Sequence, residues 1–391
     1  MTHRERFFAV MENKPVDRVP FFPDITDWYN ARRTEMGERQ RYGTGEFIFD
    51  DDPFHTNRGD MSERFRDFTL FDFYRHFDWG CPVHGYGSYA TLYDDVKIRQ
   101  ESEGTTRREI VETPVGTLTT VWGMAPYGSE SIIRYPVQGP DDVPALEFYA
   151  KHTHYRGEPD AVRRILDTFG DRGVLDIPIW RTPFGSLIQD YMGCEAVVYA
   201  LADDPNMIHR LMDALADSFF ERVQVAAELP GRIVIITDHA DEHLISPTQL
   251  RDYCVPYYRE AQGRLHGAGK LVSTHLDGNF RAYLSMLPGS GFDLLDGCTP
   301  APMGNYEPED LASVLGPDLK AYCGVPATLF CTNTPTDEIL AYGARIVEAL
   351  DPDVILNIGD VLPPDGNIDQ LVALGEEMSG GSQGMCERES Q

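Results

Sequence analysis

Seven cysteines are scattered through 391 residues, at 81, 194, 254, 298, 323, 331 and 386, and no two stand in a CxxC spacing. An odd, dispersed set of this kind excludes a disulfide framework and a zinc ribbon. No stretch approaches 18 consecutive apolar residues, so no membrane-spanning helix is expected. The first ten residues, MTHRERFFAV, are charged and lack an apolar core region. They do not read as a secretory signal, and the cytoplasm is the expected compartment. Basic residues are scarce: 34 Lys and Arg stand against 63 Asp and Glu, a formal charge of −29. A surface this acidic argues against nucleic acid or an anionic membrane as partner and leaves a small molecule as the expected ligand. There is no GxGxxG and no Walker sequence, so a nucleotide-binding doubly wound sheet has no support.

What is present is a repeating strand–helix pattern. Apolar runs at 19–23, 173–179, 233–237, 271–275, 292–296, 320–323 and 353–358 read as buried parallel strands, most followed by an amphipathic or capped helical stretch. Seven such strands, with an eighth expected in the irregular N-terminal third, predict an α/β fold, a (β/α)8 barrel. Residues 88–123 alternate polar and apolar, with turn signals at Glu103-Gly104 and Pro114-Val115-Gly116; they predict an antiparallel meander inserted before the regular part. One barrel domain over 1–378 and a disordered tail over 379–391 complete the expected organisation.

Three strands end in chemistry. KLVSTHLDGN (270–279) breaks off into His275 and Asp277, two residues apart and on one face of an extended chain. That pair fits a zinc or ferrous ligand set, or an acid–base couple. IVIITDHADEH (233–243) ends in Asp238, His239, Asp241, Glu242 and His243, of which only some can face inward; Asp238 and His239 are the catalytic candidates. DVILNIGD (353–360) ends in Asp360 after Gly359, and a glycine there permits close approach of a ligand. Arg181, closing the 173–180 run, is placed to hold a carboxylate, and Trp28 follows the first strand as a second substrate-binding candidate. Tyr191 carries a phenol able to polarise a leaving group.

Several segments resemble the uroporphyrinogen decarboxylase superfamily, which includes the decarboxylase and corrinoid-linked methyltransferases: RERFFAVMENKPVDRVP (4–20), TPVGTLTT (113–120), YMGCEAVVYALADDPNMIHRLMD (191–213), LISPTQLRDYCVPYYRE (244–260), HLDGN (275–279) and ILNIGDVLPPDGNIDQL (355–371). The opening segment is similar to the methyltransferase-like branch. The resemblance implies the barrel, a site at the carboxyl ends of its strands, and a homodimer. The arginine-rich propionate-binding segment of the true decarboxylase is replaced by FFPDITDWYNARR, so porphyrinogen is not the implied substrate. Tyr191 falls at the decarboxylase's catalytic tyrosine, Asp238 at its serine and Asp360 at its C-terminal histidine. The methyltransferases hold zinc through His-x-Cys and a later Cys; the corresponding positions are His275, Asp277 and Asp360, a harder, oxygen-rich set. Cys298 and Cys323, near strand ends, do not match that motif. The resemblance thus implies metal-assisted methyl transfer, zinc being the expected ion, between a small methylated molecule and a corrinoid or folate, with a corrinoid protein as a possible partner. The alternative is a metal-free decarboxylase of a small acid, with Arg181 binding the carboxylate while Tyr191 and Asp238 move protons.

Overall fold

The structure is a computed structural model that describes residues 1–33, 61–124, 130–276 and 278–388, the last eight as backbone only. Residues 34–60 of the irregular N-terminal third therefore lie outside the described residues, as does Asp277. The strands in chain order are β1 (Cys81–His84), β2 (Tyr89–Tyr93), β3 (Lys97–Glu103), β4 (Thr106–Thr113), β5 (Gly116–Met124), β6 (Glu130–Arg134), β7 (Thr153–Gly157), β8 (Gly173–Pro178), β9 (Ile233–Ala240), β10 (Leu271–Leu276), β11 (Leu294–Cys298), β12 (Lys320–Gly324) and β13 (Val354–Asn357).

Seven of them form one parallel sheet in the order β1-β8-β9-β10-β11-β12-β13. Residues 20–22 close it into a barrel. Phe22 N–H donates to Leu356 O at 2.9 Å and Leu356 N–H to Pro20 O at 2.8 Å, while Gly80 N–H donates to Phe21 O at 2.9 Å on the other side. The first predicted strand thus sits between β13 and β1, and β1 is the eighth strand expected in the N-terminal third. The fold is a (β/α)8 barrel. The meander is present as β3–β6, all antiparallel. β2 departs from expectation: it leaves the meander to pair with β7, Tyr89 opposite Gly157. Two segments brought together around the helix Val143–Lys151 are invisible to a reading of local turns.

Along each barrel strand, alternate side chains face inward. At one end Phe22, Val174, Ile233, Leu294 and Ile355 pack against Phe7, Val10 and Met11 of the helix His3–Met11. That helix starts where Thr2 and Glu5 form a reciprocal capping box, Thr2 N–H donating to Glu5 Oε2 at 2.8 Å. It seals the amino ends of the strands with apolar side chains. Lys320, buried on β12, ties the same end by donating to Asn13 Oδ1 at 2.6 Å and by pairing with Asp353. The barrel is open only at the carboxyl ends of its strands.

There the turns are crowded. A Cβ on Gly324 would lie 1.8 Å from Gly359 N and 2.6 Å from Asn357 C. Both neighbours are backbone, so neither can yield without moving the 357–360 turn. Gly324→Ala is expected to lower the unfolding free energy by about 3 kcal/mol in urea titrations, the overpacking range; a transition overlapping that of the wild type would contradict this reading of the turn.

Candidate functional site

Two residues above the apolar floor, the inward positions turn polar. Asp24, His84, Asp176, Asp296 and Asn357 occupy the next levels of the barrel, with His239, His275 and Asp360 at the strand ends above them. They line a cavity of about 310 Å³ with Tyr86, Trp180, Tyr322 and the helix Thr26–Arg33, which contributes Thr26, Asp27 and Asn30. Five of the lining residues are aspartates and three are histidines; among the described residues no lysine or arginine lines it.

Strand register explains the contacts. In the β1–β8 pair, His84 stands opposite Asp176, and its Nδ1 lies 2.7 Å from Asp176 Oδ2. On the other side its Nε2 lies 3.3 Å from Asp24 Oδ2. Burial alone would push His84 down, but the Asp176 and Asp24 carboxylates outweigh it and hold the imidazole well above its usual range. Asp176 is raised by burial, partly offset by His84. In the β10–β11 pair, His275 stands opposite Asp296, with Nδ1 2.8 Å from Asp296 Oδ2. This anchors the ring and turns Nε2 toward Asp360, whose Oδ1 is 3.9 Å away. A carboxylate behind one imidazole nitrogen is how a histidine is oriented to offer the other to a cation.

His239 packs edge-on against His275, ring centroids 4.6 Å apart. Burial, the neighbouring His275 and Arg181 lower its pKa to about 2, so it is a neutral imidazole at any physiological pH. Asp27 is shifted the other way. Enclosure in the mouth, with Asp24 and Asp360 nearby, pushes its carboxyl up to about 6, although its side chain keeps contact with water. Trp180, His239 and Asp360 all hold left-handed backbone, φ 62°, 44° and 56°. Non-glycine residues in that region cost on the order of 1 kcal/mol or more, and three line this one cavity.

The structure therefore brings together His239, His275 and Asp360 of the sequence candidates. It places the others elsewhere. Asp238 is fully buried in the wall, accepting from Thr182 N–H at 2.8 Å and from Tyr258 Oη at 2.5 Å. Trp28 points away from the mouth into the core, edge-on to Phe73 with Arg32 over its ring. Arg181 and Tyr191 line a neighbouring chamber, which they share with Asp190 rather than with Asp238. Cys298 and Cys323 are buried on β11 and β12, outside the cavity lining. The glycine before Asp360 makes room for Thr299 and the Val325 carbonyl rather than for a ligand. Sequence reasoning missed His84, Asp176, Asp296, Asp24 and Asp27. The signal for Asp176, Asp296 and Asn357 was a polar residue inside an otherwise apolar strand, in phase with the inward face; β1 itself, CPVH, was too short to be read.

The donor chemistry suits a divalent cation: a carboxylate-anchored imidazole beside a half-exposed carboxylate, with a second imidazole packed against the first. Among the described residues, however, no three His, Cys, Asp or Glu side chains converge closely enough to hold one. His275 and Asp360 supply two donors.

A family model for uroporphyrinogen decarboxylase (URO-D) matches residues 126–379. No curated protein matches the sequence. Among solved structures the chain is similar to a B12-independent methionine synthase from Shewanella sp. W3-18-1, solved with selenomethionine, at 11% identity and a TM-score of 0.48, covering 95% of this chain and 98% of that one. It is also similar to a candidate vitamin B12-independent methionine synthase from Listeria monocytogenes, at 14% identity and a TM-score of 0.44, covering 95% and 99%. With a family model spanning more than half of its length, the chain belongs to the uroporphyrinogen decarboxylase (URO-D) family.

Proposed function

We propose that this chain is a methyltransferase-like enzyme whose reaction takes place at the barrel mouth, on a small neutral or cationic O-methyl or N-methyl compound. The observation that carries the reading is the lining itself: five carboxylates and three imidazoles, with no guanidinium or ammonium among the described residues. A carboxylic acid held for decarboxylation in this cavity would meet carboxylates on most sides, the one raised imidazole, His84, being already paired with Asp176 and Asp24, whereas a cationic or uncharged methylated group would not be repelled.

His275 and Asp360, with Asp277 two residues after His275 in sequence, are the residues that would hold a divalent metal, zinc being the expected ion; bound there, it would polarise the heteroatom that loses its methyl group. The remaining roles fall to the chain. Asp296 fixes the tautomer and direction of His275. His239, neutral throughout the working range, offers a lone pair or a single N–H without carrying charge. Asp27, with its carboxyl near 6, is the acid best placed to protonate the leaving heteroatom. In that step the bond from methyl carbon to heteroatom would break and the methyl group would pass to the acceptor, a corrinoid or a folate nitrogen that gives up its own proton; an O-linked leaving group would take the proton of Asp27, and a cationic N-methyl donor would leave as a neutral amine needing none. A corrinoid protein is the partner this reading calls for if the acceptor is a corrinoid.

Metal analysis of purified wild type and His275→Ala tests the ligand assignment. About one divalent ion per wild-type chain and a clear loss in the variant are expected; equal content in both would remove the metal from the proposal.

Asp27 gives a separate prediction. Its folded pKa, about 6, lies above the ordinary value of 3.8, so its ionisation opposes folding: the cost is absent below 3.8 and complete above 6. Asp27→Asn is therefore expected to raise stability by about 1 kcal/mol at pH 7.5, discounted for the water the side chain retains, and to change nothing at pH 3.5. Melting curves at the two pH values measure it; an equal gain at both would show that ionisation of Asp27 is not the cause.

A further inference from the structure

A second chamber of about 270 Å³ lies beside the mouth. Trp180 lines both. A wide π-type turn, Leu187–Tyr191, presents Asp190 and Tyr191 to it, and the helix Pro205–Glu228 presents Arg222. The charges in this chamber do not balance. Asp190 Oδ1 pairs with Arg181 Nη1 at 3.1 Å, and Arg181 Nε donates to Gln189 at 3.0 Å. Arg222 Nε, in contrast, is buried with no hydrogen-bond partner. Its guanidinium carbon stands 5.2 Å from the centroid of the Tyr155 ring. A cation–π contact contributes roughly 0.5–2 kcal/mol, less than the several kcal/mol that burying a cation costs. Two guanidinium groups thus share one carboxylate, and Arg222 has neutral tyrosines, Tyr89 and Tyr155, as its close neighbours rather than a carboxylate of its own.

The shape of the missing partner follows from the walls. A guanidinium fork matches a planar carboxylate better than a point anion. Tyr149, Tyr155, Tyr191 and Trp180 supply flat aromatic faces around it, and Tyr155 Oη, 3.1 Å from Ser218 Oγ, adds polar edge. A second cation without a carboxylate of its own calls for one negative charge. We propose that this chamber is a binding site for an aromatic monocarboxylate, its carboxylate seated on Arg222 and its ring held among the tyrosines and Trp180. Such a group occurs in aryl acids that carry their own methyl ether; the aminobenzoyl portion of folate-type carriers lacks it, its carbonyl being tied up as an amide. The assignment concerns binding in the second chamber and does not require methyl transfer at the mouth.

Calorimetric titration of the whole chain with benzoate and with its uncharged isostere benzamide tests it. Benzoate is expected to bind saturably and at least tenfold more tightly than benzamide. Arg222→Gln is expected to lose that preference and Arg222→Lys to keep part of it. His275→Ala, altered only in the mouth, is expected to bind benzoate like the wild type, so a failure of the metal reading and a failure of this one give different results. 4-Methoxybenzoate is expected to bind at least as tightly as benzoate, and p-aminobenzoylglutamate, whose carboxylates are aliphatic, more weakly; the reverse order would overturn the aromatic-carboxylate assignment. No benzoate binding, or equal binding of benzamide, would overturn the proposal from wild-type data alone, even if the Arg222 variants fail to fold; unchanged binding in a folded Arg222→Gln would do the same.

Discussion

A parallel barrel fixes which side chains share a level, and here two neighbouring-strand levels set an imidazole on a carboxylate: His84 opposite Asp176 and His275 opposite Asp296. The rest of the mouth depends on those two pairings. Because inward and outward positions alternate, a one-residue slip of β1 or β10 would send the imidazole out of the barrel and leave its carboxylate buried alone. The apolar floor beneath, with Phe22, Val174, Ile233, Leu294 and Ile355 clamped by the helix His3–Met11, is what holds the register. Hydrophobic packing at one end thereby fixes proton positions at the other.

The mouth is costly to fold. Burial first, and then neighbouring carboxylates, raise the proton affinity of an acid in this cavity, as Asp27 shows, and three lining residues carry left-handed backbone. Local choices that agree almost everywhere else conflict here, and such conflict concentrates where ligands bind. The second chamber repeats the pattern with the opposite sign, so an acidic and a basic compartment meet at one tryptophan. That division of charge orients any molecule bearing both kinds of group.

Most of the barrel was legible in the sequence because its strands are buried on both faces and read as continuous apolar runs. LVSTH and VILN need no alternation to be recognised. The closing segment at 20–22 and the meander were legible for the same local reasons. β1 was not: four residues, two of them proline and histidine, carry no run. The site was legible only at its rim. His275, His239 and Asp360 follow strands directly, where polar residues draw attention, whereas Asp24, His84, Asp176 and Asp296 owe their proximity to pairing across the barrel, which no stretch of sequence contains. Asp238 misled for a physical reason. It stands next to His239, so the pleat that turns one toward the cavity turns the other into the wall, where Thr182 and Tyr258 satisfy it.

Residues 20–22 lie between β1 and β13, drawn from near the two ends of the chain. Synthesis on the ribosome proceeds from the first of these to the last, so the hoop cannot be fastened until the codons for 354–357 have been translated. Asp24 N–H then meets Asn357 Oδ1 at 3.2 Å, and Leu362 N–H meets the Asp24 carbonyl at 2.8 Å. Fastening the hoop and finishing the acidic ring are one event, and a nascent chain stopped short of it carries neither a closed wall nor a complete acidic cavity.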